Sequence, residues 1–186
     1  ISVATAFIRG GFTVEELLKG WNDQGATLGI REYYSVNTWD RDLPGRSRGS
    51  NLDYLQRTVP EFHQLGARYL SSESSDNWGP NGLGYYFASR MLWDIDEADR
   101  RDEIVSEFLH NCFGSAADTM ADYYKLIDGS RKSLFSDDLV GRMYRLLAKA
   151  RSEAKAPQIQ ERLNHLILYT RYLELWLNYS STAGEE

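Results

Sequence analysis

Carboxylates follow two of the apolar runs in this sequence, at positions where they could act together on one ligand. Glu32 comes at the end of the run that begins at Ala26, and Glu73 ends the run that begins at Ala67. Glycoside hydrolysis commonly uses two carboxyl groups, one protonated as an acid and one ionised as a nucleophile or base. The pattern therefore makes Glu32 and Glu73 the candidate catalytic pair.

Seven neighbouring residues have side chains suited to holding a sugar. Indole and phenol rings pack against the apolar C–H faces of a pyranose, while charged and amide groups hydrogen-bond to its hydroxyls. These candidate substrate-binding residues are Arg31, Tyr34, Trp39, Asp40, Asp76, Asn77 and Trp78. They predict a carbohydrate ligand.

Each of these residues also has an ordinary structural interpretation. Glu73 could cap the helix that follows it or pair with Arg31, and Glu32 could form an ion pair with the same arginine. Trp78 precedes a helix and could serve as a hydrophobic staple, and Asp40 could be a solvated loop residue. The residue pattern leaves both interpretations open.

Other kinds of site are disfavoured by the sequence. The stretch GPNGLG at residues 79–84 lacks the Lys-Ser/Thr of a P-loop, and its glycines have the wrong order for a dinucleotide fingerprint. The three histidines lie far apart, and the single cysteine cannot build a cysteine-based zinc site. We therefore predict no metal and no cofactor.

The composition narrows the range of partners. A chain of 186 residues with 42% hydrophobic content can bury one good core. The net charge is −6, and the 21 Lys and Arg residues form no basic stripe, which disfavours nucleic acid and anionic membranes. No window approaches the roughly 18 uncharged apolar residues of a membrane span, so none is predicted. The oligomeric state stays open.

Residues 1–94 alternate three extended runs with three amphipathic helices. Thr13 and Glu16 form a capping box before the first helix, Ser50 begins the second, and Pro80 opens the third. Crossovers of this length predict parallel strands. Three such units fit a small open α/β sheet or the C-terminal part of a (β/α)₈ TIM-type barrel. The barrel segment is favoured because the chain begins inside a predicted strand.

Residues 95–186 are predicted to be α-helical. Four helices are expected over 100–113, 115–128, 136–155 and 157–179, since their apolar residues recur by threes and fours. The fold class is therefore predicted as α/β plus α, a barrel segment followed by a helical bundle extension.

Four segments resemble a bacterial family catalogued as domain of unknown function 4838. They read LGIREYYSV, WDRDLPGR, ESSDNWGPNGLGYYFASRMLWD and FLHNCFGSAADTMADYYKLID. Part of that family is classed as glycoside hydrolase family 163, which acts on N-acetylglucosaminides of N-glycans, and α-glucuronidase and hexosaminidase barrels are more distantly similar. The resemblance implies a barrel followed by helices, a glycosidase activity and a secreted or periplasmic location.

We therefore expect the C-terminal part of a glycoside hydrolase acting on bacterial or host glycans. If the chain begins at Ile1, half of the pocket would be absent and this polypeptide alone would be inactive. Two alternatives remain: a non-catalytic carbohydrate-binding protein, and a helical interaction module whose α/β half only supports it.

Overall fold

A three-stranded parallel sheet forms the first part of the fold. The computed structural model of the chain describes residues 1–131 and 134–183. The strands are β1 (Ser2–Ala4), β2 (Leu28–Tyr33) and β3 (Ala67–Glu73), in the order β1-β2-β3. In the register, Val3 lies opposite Ile30, and Tyr33 lies opposite Glu73. Parallel pairing places the carboxyl ends of all three strands at the same end of the sheet.

Helices α1 (Val14–Asp23) and α3 (Leu52–Gln64) connect the strands. The predicted capping box of α1 is confirmed: Thr13 Oγ1 accepts from the Glu16 N–H at 3.1 Å, and the Glu16 carboxylate accepts from the Thr13 N–H at 2.8 Å. Helix α3 begins one residue later than predicted, because the Asn51 side chain rather than Ser50 accepts from the Tyr54 N–H.

The predicted barrel segment is wrong. The described part of the chain is 69% helical, and its sheet ends after three strands. A closed barrel pairs every strand on both sides, whereas here β1 and β3 each have a free edge. The structure is instead an open parallel sheet with helices, the other arrangement that the sequence allowed.

Five α-helices, with three short 3₁₀ helices between them, make up most of the rest of the described chain. They are α4 (Trp78–Trp93), α5 (Arg101–Phe113), α6 (Ala117–Ile127), α7 (Asp137–Glu153) and α8 (Pro157–Ala183). The four helices predicted after residue 95 are confirmed to within a few residues at each end. Residues 132–133 and 184–186 of that predicted region lie outside the described residues. Within the described ranges, none of the helices combines the length and apolar character needed to cross a bilayer.

The connecting helices α1 and α3 lie on the same face of the sheet. A small core forms there between the strands and the helices α1 and α3, from Val3, Leu18, Leu28, Ile30, Phe62 and Ala67. A larger core continues from α3 through α4 to the C-terminal helices, and the fully buried Phe87, Tyr123 and Leu147 belong to it. The opposite sheet face carries Gly29, Arg31 and Tyr33 from β2, and Tyr69 and Glu73 from β3. We call this uncovered surface the open face.

The segment between β2 and α3 lies very close to α4, because both residues at the contact are glycines. It contains a short helix, α2 (Asn37–Asp40), and a 3₁₀ turn at Arg48–Ser50. The Gly49 N–H donates to the Tyr34 carbonyl at 2.6 Å. A Cβ atom placed on Gly84 would lie only 1.6 Å from the Gly49 carbonyl oxygen. Helix α4 can therefore rest on this turn only where it has no side chain.

Candidate functional site

Three aromatic side chains cluster at one end of the open face. Phe7, Tyr33 and Trp39 have ring centroids 5.3 to 5.8 Å apart in all three pairs. Phe7 is 59% exposed and Trp39 is 54% exposed, so much of this ring surface is in contact with solvent. We call these residues the aromatic cluster, an apolar surface that a ligand can cover.

An ion pair lies directly beside the aromatic cluster. Arg31 Nη2 is 3.1 Å from Glu73 Oε2, and the Arg31 guanidinium lies 5.5 Å from the Tyr33 ring centroid. The two charged side chains are 39% and 47% exposed. An ion pair of this exposure adds little stability, but it keeps its remaining donor and acceptor sites available to a ligand.

A polar pocket opens at the carboxyl ends of β2 and β3. It has a volume of about 520 Å³. Its charged and amide side chains are Asn37, Asp42, Glu73, Asp76 and Asn77. We call it the strand-end pocket, and through Glu73 it is continuous with the open face.

The loop that carries Asp42 is fixed by the predicted ligand residue Asp40. The Asp40 carboxylate is buried and accepts from the Ser35 hydroxyl at 2.9 Å, the Val36 N–H at 2.9 Å and the Asp42 N–H at 2.8 Å. These three bonds commit its oxygens to the loop. Asp40 therefore shapes the pocket and does not line it.

Helix α8 holds the same loop from the other side. Arg41 and Asp42 have φ angles of 55° and 53°, which side-chain-bearing residues rarely adopt. The Tyr172 hydroxyl donates to the Arg41 carbonyl at 2.6 Å, and the Tyr169 hydroxyl donates to the Asp42 carbonyl at 2.7 Å. This turn sets the Asp42 carboxylate at the pocket, where it accepts from Asn37 Nδ2 at 3.0 Å.

Glu32 lies behind the sheet, away from the open face. Its side chain is fully buried and accepts from Arg48 at 3.0 Å, the Tyr54 hydroxyl at 2.9 Å and the Tyr33 N–H at 3.1 Å. Burial is the largest cause of the raised pKa of the Tyr54 phenol, and the Glu32 charge adds to it. The structure therefore does not bring Glu32 and Glu73, the predicted catalytic pair, together.

Tyr34 also points away from the strand-end pocket. The residue is 4% exposed, and its hydroxyl has no hydrogen-bond partner among the described residues. Burial, reinforced by the Glu32 charge, raises the pKa of this phenol. Side chains alternate between the two faces of a strand. Glu32 and Tyr34 therefore point to the same buried face as Ile30, whereas Arg31 and Tyr33 point to the open face.

Trp78 lies near the strand-end pocket but lines a different cavity. Its indole is 65% exposed and packs edge-on against the Tyr85 ring at 5.1 Å, in a cleft between helices. Asp76 and Asn77, by contrast, line the strand-end pocket, as expected for residues that bind a ligand there. The two candidate indoles Trp39 and Trp78 therefore belong to separate surfaces.

Four of the aromatic, amide and carboxylate residues of the site are missing from the predicted set: Phe7, Tyr33, Asn37 and Asp42. Tyr33 could have been identified from its alternation with Arg31 along β2. Asp42 was one of several loop carboxylates, and nothing local showed which of them faces the pocket. Phe7 follows a strand of only three residues, and no sequence pattern placed its ring against Tyr33.

The side chains of this site contain no recognisable metal centre. Among residues 1–131 and 134–183, no group of three or more His, Cys, Asp or Glu side chains could hold a metal ion. The resemblance to the family of unknown function stays a prediction. No protein-family model, no curated protein and no solved structure matches this chain.

Proposed function

We propose that this protein binds carbohydrate on the open face of its sheet. The observation that carries the proposal is the contact between an exposed aromatic cluster and an exposed ion pair. Phe7, Tyr33 and Trp39 offer ring faces to a pyranose, and Arg31 and Glu73 offer a donor and an acceptor at its edge. Sugars have this same combination of apolar faces and hydroxyl edges.

The charges around the site favour a neutral polyol over an anionic ligand. Asp42, Glu73 and Asp76 line the strand-end pocket, and the nearby cation Arg31 is already paired with Glu73. This excess of carboxylates repels phosphates and other anions. The amides of Asn37 and Asn77 add both donors and acceptors, which suits hydroxyl groups.

Glycoside hydrolysis is a second candidate function at the same place. It is favoured by the strand-end pocket, where Glu73 shares the lining with two other carboxylates, Asp42 and Asp76. Glycosidases generally need one carboxylic acid and one carboxylate across the scissile bond. In this reaction Glu73 has the role of acid or base, and its partner comes from this lining rather than from the buried Glu32.

Replacing Trp39 with alanine should weaken carbohydrate binding about tenfold or more, because a large exposed ring face is lost. Binding would be measured by titration calorimetry with a panel of oligosaccharides that includes N-acetylglucosamine oligomers. The matched control is Trp93→Ala, which removes another exposed indole, 93% exposed, at the far end of α4. Equal affinities for the two variants, or no saccharide bound by the unmodified protein, would refute the proposed function.

The hydrolysis candidate predicts that Glu73→Gln reduces turnover of an aryl glycoside by about 100-fold or more. Saccharide binding should weaken far less, since the amide keeps the size of the side chain. Glu32→Gln is the comparison, and its turnover per folded molecule should equal that of the unmodified protein. If the unmodified protein binds saccharides but does not hydrolyse them, the result would support carbohydrate binding and refute hydrolysis.

A further inference from the structure

A second cavity lies among the helices, apart from the strand-end pocket. It has a volume of about 470 Å³, within the range of about 300–1,000 Å³ common for small-molecule sites. Six aromatic rings line it, and they belong to Trp78, Tyr85, Tyr86, Phe108, Phe113 and Tyr124. We call it the aromatic cleft.

Two glycines of α4 keep the aromatic cleft open. Gly79 and Gly82 both line it, and neither has a side chain to fill the space between the rings. A Cβ atom on Gly82 would meet only the Phe108 ring, at an ordinary contact distance of 3.9 Å. The backbone at Gly79 is fixed, since its carbonyl accepts from the Tyr124 hydroxyl at 2.7 Å.

Two basic residues and no acidic one line the aromatic cleft among the described residues. They are Arg162 and His165, which lie three residues apart on α8. Arg162 donates to the Cys112 carbonyl at 3.1 Å and forms no ion pair with any described residue. A guanidinium with spare donors at an apolar cavity is a binding site for a carboxylate.

We propose that the aromatic cleft binds a small amphipathic carboxylate. Its apolar body, aromatic or alkyl, packs between the rings of Trp78 and Phe108, and its carboxylate accepts hydrogen bonds from Arg162. The rings of the aromatic cleft suit the apolar body of such a ligand. The positive charge of Arg162, which has no ion-pair partner among the described residues, suits its carboxylate. The proposal is independent of carbohydrate binding at the open face.

The test uses 2-naphthoate as the probe and 2-naphthamide as its uncharged counterpart. In titration calorimetry, the unmodified protein should bind 2-naphthoate at least tenfold more tightly than 2-naphthamide, because a charge-assisted hydrogen bond is lost with the amide. Arg162→Gln should weaken 2-naphthoate binding about tenfold. Arg171→Gln, which removes another exposed arginine of α8, should leave it unchanged.

A filling variant tests the cavity itself. Gly82→Leu places an apolar side chain in the aromatic cleft at a position where an added Cβ meets no backbone atom of another element within 4 Å, and it should abolish binding of both probes while far-UV circular dichroism stays unchanged. If 2-naphthoate does not bind, or binds Arg162→Gln and Gly82→Leu as well as it binds the unmodified protein, the proposal fails. Saccharide binding to Gly82→Leu should persist, which separates this result from that of the open face.

Discussion

Replacing Gly84 with alanine is expected to lower the free energy of unfolding by about 3 kcal/mol, because the new methyl group collides with the backbone. The added Cβ would lie 1.6 Å from the Gly49 carbonyl oxygen and 2.8 Å from its carbonyl carbon. Gly49 cannot easily retreat, since its N–H is bonded to Tyr34 and a Cβ of its own would meet the Tyr85 ring at 2.7 Å. Urea unfolding followed by circular dichroism measures the loss.

Gly82→Ala is the matched control for this prediction. Gly82 lies on the same helix, two residues away, and a Cβ there meets only an ordinary contact at 3.9 Å. Alanine favours helix over glycine by about 1 kcal/mol, so this variant should equal or exceed the unmodified protein in stability. If Gly84→Ala unfolds at the same urea concentration as Gly82→Ala, α4 does not rest on the 3₁₀ turn as described.

Arg48→Met should destabilise the protein by about 2–3 kcal/mol, because it leaves the buried Glu32 carboxylate without a positive charge. Glu32 is 0% exposed, and Arg48 is its only ion-pair partner among the described residues. The loss stays below that for a fully buried pair, since Arg48 is 40% exposed and water can replace part of its interaction.

Arg57→Met provides a close control, because Arg57 and Arg48 both lie over the Tyr54 ring. The Arg57 ion pair with Glu61 is exposed, at 66% and 44%, so its loss should cost at most about 0.5 kcal/mol. In a second control, adding Glu32→Gln to Arg48→Met should recover part of the lost stability by removing the unpaired charge. Equal losses for the two arginine variants would contradict a structural role for Glu32.

Local signals made most of the secondary structure predictable. The Thr13–Glu16 capping box marked the start of α1, and Pro157 marked the start of α8, where the structure has them. Apolar periodicity then gave the helix lengths. Such features act over one or two turns of chain, so they can be identified without the rest of the molecule.

Sheet closure was not predictable in the same way. A strand followed by a helix has the same pattern in an open sheet as in a barrel, because what differs is how many strands join in total.

Part of the candidate site could be predicted from the sequence: Glu73, Asp76 and Asn77 line the strand-end pocket, and Trp39 belongs to the aromatic cluster. Strict alternation along β2 would have assigned Glu32 to the buried face.

The remaining features of the site depend on distant parts of the chain. The sequence at Arg41 and Asp42 only weakly indicates a left-handed turn: aspartate is among the residues that tolerate such φ angles, but arginine rarely adopts them. The turn is held by tyrosines of α8, which lie 131 and 127 residues further along the sequence. A local pattern cannot encode a partner at that separation.

The tyrosine bonds from α8 also have a consequence for folding, because they join parts of the chain that are 127 and 131 residues apart. The three strands lie within residues 1–73 of the 186, whereas the turn at the strand-end pocket also needs Tyr169 and Tyr172 to reach the loop. Contacts across such long separations form late, because the chain between them must first give up its conformational freedom. We therefore expect the pocket to be among the last parts of the molecule to form. During synthesis it stays incomplete until the C-terminal helix has docked.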